Sequence, residues 1–159
     1  MKRQMFAVIA AVTLGATVVT AVFAQTNPNV LIAQRKGAMF LQGKYFGRAL
    51  AMVSGSGTYD VAAVQRNVDI LSVLSQLPWD DFQPHTIGTP NTKAKEDIFK
   101  EPAKFKAAVD AYQGELQKLG AAAKTADQAS VTTLVKNVGK ACNSCHEAFS
   151  TIEWRLRVQ

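Results

Sequence analysis

The chain has 159 residues with 18 Lys and Arg, 12 Asp and Glu, two Cys, 10 Gly and five Pro, which is the length and make-up of one compact domain. Two cysteines are too few for a disulfide-stapled scaffold. The formal charge of +6 is not gathered into blocks of five or more like charges, so a nucleic-acid arm is not expected.

Lys2 and Arg3 lead an apolar run over residues 5–23 that ends in the small residue Ala24 before Gln25. A charged start, an apolar centre and a small-residue cleavage site spell a secretory signal over residues 1–24, removed to leave 25–159. A membrane anchor is the competing reading, because the run is near the lower length for a span. No positive cluster follows to stop transfer, so a mature form that does not span the membrane is expected in an exported compartment. Without Lys2 and Arg3, 16 basic residues face 12 acidic ones.

Asn27-Pro28 predicts a helix start, a capping residue followed by proline at the first helical position, and the helix runs to about Val53. Residues 54–57, Ser-Gly-Ser-Gly, break it. Asp60 is a candidate cap for a second helix carrying Val61, Val64, Val68, Leu71 and Leu74 at helical spacing. Residues 78–95 are non-periodic, with Pro84, Gly88 and Pro90, and a short turn is expected over 96–99. After Pro102, Phe105, Val109, Tyr112, Leu116, Leu119 and Ala123 alternate in steps of four and three. Asp127 precedes a fourth stripe of Val131, Val135, Val138, Cys142, Cys145, Phe149, Ile152 and Leu156. No alternating strand, phosphate loop or internal repeat appears. The expected fold is all-α: an antiparallel four-helix bundle with one long loop between the second and third helices.

The chemistry is concentrated in Cys142-Asn143-Ser144-Cys145-His146. Two thiols three residues apart on a helix share a face, so both can add to the vinyl groups at one edge of a haem, and His146, four residues after Cys142, reaches the iron. A thioredoxin-like pair would need a βαβ context, a zinc site would need a fourth ligand for which only His85 and acidic residues remain, and a disulfide within one turn would strain the backbone. One covalently attached haem c, with His146 as its metal ligand, is the expected cofactor.

This C-terminal motif on the last helix of an exported four-helix chain resembles the cytochrome c′ family. Ala33-Gln34-Arg35-Lys36-Gly37-Ala38-Met39, Tyr45-Phe46-Gly47-Arg48, Leu77-Pro78-Trp79-Asp80-Asp81-Phe82 and Ile98-Phe99 also match. The resemblance implies a periplasmic, five-coordinate haem protein that binds nitric oxide and carbon monoxide or transfers single electrons. It implies a homodimer packed through the first two helices, with Phe40, Tyr45 and Phe46 as apolar material. By the same resemblance Arg35 pairs with a haem propionate, where a solvated helix charge would be the default. Lys36 stands where Gln is usual, and Lys93 and Lys95 are weaker candidates for the same edge. Met39 falls on the position covering the open face of the iron: close apolar cover, true ligation and plain core filling are all open to it. Ligation would make the protein a six-coordinate His/Met electron carrier. Met52 and His85 are lesser ligand candidates. Ser150 replaces the Arg or Lys that many members carry four residues after the histidine.

Trp79, Phe82, Phe105, Phe149 and Trp154 read as core or core edge rather than haem packing. With an apolar cover over the open face, no hydrogen bond to a bound gas is expected, and no general acid is identifiable beside Met39, so a dedicated enzyme is not expected. The redox partner is not legible.

Overall fold

A computed structural model describes residues 26–54, 58–125 and 127–152; the signal expected over 1–24 lies outside the described residues. The first helix, α1, is Pro28–Val53, and the Asn27 side chain accepts from the Asn29 amide at 2.9 Å, as the sequence predicts. Helix α2, Val61–Leu74, is capped by Asp60, which accepts from Ala63 N at 3.1 Å. A 3-10 turn, Pro84–Thr86, and a single-turn helix α3, Asp97–Lys100, lie in the long connection. Helix α4 is Pro102–Ala123 and α5 is Gln128–Phe149, the latter capped by Asp127.

The four long helices close a ring: α1 packs on α2 and α5, and α4 packs on α2 and α5. Val68 lies against Gly120, and one end of α2 is tied to α4 by Gln113 Nε2 donating to Ser75 O at 3.0 Å, so α2 and α4 run antiparallel. Where the ring closes, Val64, Val68, Leu71, Leu116, Leu119, Val131, Val135 and Val138 form a continuous buried aliphatic core. Each comes from an apolar stripe at helical spacing, which is what drives the amphipathic faces together.

The stripe on α5 is shorter than its periodicity predicts. The helix ends at Phe149, Ser150 enters a single antiparallel bridge with Ala94, and Ile152 is 49% exposed; Leu156 lies outside the described residues. The reason is competition for backbone partners. Lys95 N donates to Phe149 O at 3.0 Å and Thr151 N to Lys93 O at 2.8 Å, so the long connection takes groups that a further helical turn would use. The Lys95 ammonium completes the helix end by donating to Glu147 O at 2.9 Å and Ala148 O at 3.3 Å.

Candidate functional site

Toward the other end of the bundle, the side chains of α1, α4 and α5 line space instead of filling it. A cleft of about 580 Å³ is walled by Trp79, Phe82, Phe105, Phe149, Met39 and Ile98, with Cys145 and His146 in its lining. That volume is within the roughly 300–1,000 Å³ typical of sites for cofactor-sized ligands. A smaller cavity of about 50 Å³ shares Met39, Gly43, Trp79, Cys145 and His146 with it and adds Gln42, Phe46, Ala108, Tyr112, Ala141 and Cys142.

The aromatic wall is built by the long connection closing over α4 and α5. Trp79 donates its indole N–H to Ser75 O at 2.6 Å, which fixes the ring at the end of α2. Its centroid is 6.2 Å from Phe82 and 6.1 Å from Phe105; Phe105 in turn meets Phe82 at 5.2 Å and Phe149 at 5.3 Å. These four rings therefore line the cleft, while Phe149 is also buried in the core and Trp79 packs against its edge, as expected. Such rings offer a large flat apolar surface to a planar guest. Trp154 lies outside the described residues.

Arg35 is likewise not the solvated charge that is the default for a helix cation. It is 4% exposed, and its guanidinium donates to Thr86 Oγ1 at 2.9 Å, to Asp81 O at 3.3 Å and to the Thr92 hydroxyl, while stacking 4.8 Å above the Phe82 ring. Burial lowers the guanidinium pKa, and the Asp81 charge opposes that shift. The planar fork thus pins the long connection to α1 at three points and still lines the cleft. Lys36, Lys44 and Lys93, all exposed, stand around the same cleft, and Ser150 is in its wall. Lys95 is engaged at the end of α5. Met52 packs against the aliphatic core and lines neither cavity, and His85 Nε2 meets Thr26 O at 3.1 Å on the surface.

Cys142 and Cys145 are both free thiols. Burial, reinforced by the neighbouring Cys145, pushes Cys142 up to about 12, and burial pushes Cys145 up to about 11. Burial also lowers the His146 pKa, which favours the neutral imidazole that can ligate iron. Among the described residues no group of three or more His, Cys, Asp or Glu is placed to hold a metal ion. The donor set fits haem: Cys145 and His146 line the apolar cleft, Cys142 lines the adjoining smaller cavity, and cations stand at the cleft rim.

Two residues of the smaller cavity went unrecognised as site residues. Gln42 and Tyr112 are both buried, and Tyr112 Oη donates to Gln42 Oε1 at 2.7 Å. Burial first, and the neighbouring Cys142 second, raise the Tyr112 pKa well above the ordinary tyrosine range, so the phenol stays protonated. The cavity beside Met39 is therefore not wholly apolar, contrary to expectation. The available signal was Gln42 itself: a polar residue three positions after Met39 and four before buried Phe46, on one helical face. Phe46, at 3% exposure, belongs to the core and is not surface material for a dimer, whereas Phe40 is 74% exposed.

A family model described as Cytochrome C' matches residues 30–150. A cytochrome c' of Rubrivivax gelatinosus is 37% identical over 123 residues, covering 77% of this chain and 95% of that protein. The nitric oxide complex of a mutant cytochrome c prime from Alcaligenes xylosoxidans superposes with a TM-score of 0.76 at 33% identity, covering 82% of this chain and all of the other. A carbon monoxide-bound variant of the same cytochrome has a TM-score of 0.75 at 34% identity, covering 80% and 98% of the two chains. With the four-helix ring, the free thiols of the CxxCH segment and the aromatic cleft in place, the chain belongs to the cytochrome c′ family, and haem c is its cofactor.

Proposed function

We propose that this chain is a periplasmic c-type cytochrome that holds one five-coordinate haem c through Cys142 and Cys145, with His146 as the axial ligand. In this reading it binds nitric oxide and carbon monoxide or carries single electrons, and it is not a dedicated enzyme. The observation that carries the reading is the placement of the two thiols and a half-buried, neutral-leaning imidazole along two adjoining cavities, Cys145 and His146 in both and Cys142 in the smaller one. When bound, the haem supplies an iron centre for gases and electrons. The chain supplies the rest: His146 orients on the helix that carries the thiols, the four rings of the cleft exclude water, and Met39 covers the remaining face. Arg35 and Lys36 offer cations to the propionates, Arg35 from a fixed fork and Lys36 from a flexible stem. The nitric oxide and carbon monoxide complexes of the Alcaligenes relative support gas binding.

A homodimer through α1 and α2 is part of the proposal, with exposed Phe40 available to it. So is an altered response on the His146 side, because Ser150 brings no cation there; Ser150→Arg with unchanged ligand-bound and alkaline spectra would remove that element. Met39 lines both cavities together with His146, which favours one second reading: a six-coordinate His146/Met39 electron carrier. The deciding measurement is the absorption spectrum of the reduced protein with and without carbon monoxide. Broad bands that change with the gas support the five-coordinate reading, and sharp split bands indifferent to it support the second.

A further inference from the structure

The turn that carries His146 is completed by a residue from elsewhere in the chain. Helix α5 ends at Phe149, so the carbonyls of His146, Glu147, Ala148 and Phe149 lack partners within it. Ser150 N donates to His146 O at 2.9 Å, and Lys95 takes the three that remain. Its backbone amide donates to Phe149 O at 3.0 Å, and its ammonium donates to Glu147 O at 2.9 Å and to Ala148 O at 3.3 Å. Lysines close by behave differently: Lys100 pairs with Glu96 and Lys104 with Glu101, while Lys95 meets backbone oxygens. The segment around Lys95 is itself held in place. Ala94 bridges to Ser150, Ala94 N donates to Thr92 Oγ1 at 3.2 Å, and that hydroxyl also accepts from the buried Arg35 guanidinium on α1. A hydrogen-bonded path therefore runs from α1, along residues that line the cleft, to the turn bearing the imidazole.

We propose that Lys95 is a positioning residue for the haem-ligating turn, holding the end of α5 in helical form and setting a positive charge at that end, within one turn of His146. The inference rests on the reading above that His146 is the axial ligand. Two effects carry it. Carbonyls left without partners fray the last turn of a helix, and an imidazole on a frayed turn loses its fixed orientation. The same carbonyls form the negative end of the helix dipole, which a cation offsets. Left uncompensated, that charge makes the neighbouring imidazole a stronger electron donor and favours the oxidised state of the metal it binds. Lys95 thus fixes the ligand's direction and keeps the reduced state accessible.

The test compares the haem-loaded wild type with Lys95→Met, which keeps the apolar stem and removes the ammonium, and with Lys95→Arg, which keeps a cationic donor. In Lys95→Met the amides of residues 147–150 exchange about tenfold faster, the loss of roughly one hydrogen bond of local stability, and the reduction potential falls. Lys95→Arg returns both toward wild type. Thr92→Val leaves the ammonium and loosens its support, so the same two changes appear at smaller size. Lys140→Met removes a charge from an exposed site earlier on α5 and moves the potential less than Lys95→Met. Faster exchange with an unchanged potential in Lys95→Met shows a helix cap and nothing more, and overturns the proposal. So does a potential that falls equally in Lys95→Met, Lys95→Arg and Lys140→Met. Electron–nuclear double resonance of the oxidised wild type separates the underlying reading: if no axial imidazole nitrogen is detected, ligation by His146 is overturned and the role of Lys95 with it.

Discussion

The two ends of this bundle share α4 and α5 and differ in what their facing residues leave between them. At one end Val64, Val68, Leu71, Leu119, Val131, Val135 and Val138 are fully or almost fully buried, and the aliphatic layers close on themselves. At the other, larger and more varied side chains (Met39, Gln42, Trp79, Phe105, Tyr112, Phe149) stand apart around a cleft. Branched aliphatics at regular spacing interdigitate to native density, whereas flat rings braced by a loop can hold a slot open. Stability and cofactor binding are thereby assigned to different ends of the bundle, with α2 lining neither cavity.

The largest effect expected from that division is at the thiols. Replacing both Cys142 and Cys145 with Ser removes all covalently retained haem, measured as pigment remaining with the protein after acid–acetone extraction, while the far-ultraviolet helical signal of the chain persists. Leu119→Ala, in the closed half, costs roughly 2–5 kcal/mol in denaturant unfolding because the site is completely buried, yet leaves the haem spectrum unaltered. A spectrum that changes as much as the stability does would break the separation of the two halves. Arg35→Met sharpens it at the boundary: losing the hydrogen bonds to Asp81, Thr86 and Thr92 costs about 2 kcal/mol and speeds amide exchange in residues 79–92 more than in α4.

The smallest effect is a pH dependence at the start of α5. The Ser130 hydroxyl and the backbone amides of Ser130 and Ala129 hold the Asp127 carboxyl below its ordinary value of 3.8. A carboxylate depressed in the folded state contributes stability above the unfolded value, and that contribution fades as pH falls through the folded value. Asp127→Asn is therefore less stable than wild type at pH 6, and the two unfolding curves converge toward pH 2. A difference that is constant with pH would show that capping geometry, and not the charge, is what Asp127 adds.

Much of this was legible along the chain. Asn27-Pro28, Asp60 and Asp127 mark helix starts by local chemistry, since a side chain two or three residues from the amide it caps needs no distant partner. The stripes on α2, α4 and α5 indicate which faces meet, and Cys142, Cys145 and His146 share a face by helical period alone. The end of α5 is not legible along the chain, because Phe149, Ile152 and Leu156 continue the stripe and what stops the helix is the backbone of residues 93–95, more than fifty positions away.

The sequence by itself determined the four helices, their buried faces and the thiol–imidazole triplet, because each depends on neighbours within a turn or two. The tertiary structure alone decided that Arg35 is buried against the long connection, that four aromatic rings form a wall, and that Gln42 meets Tyr112. Those outcomes depend on which segments cross and how closely, and helical periodicity gives a residue's direction around its own axis but not the partner it meets there.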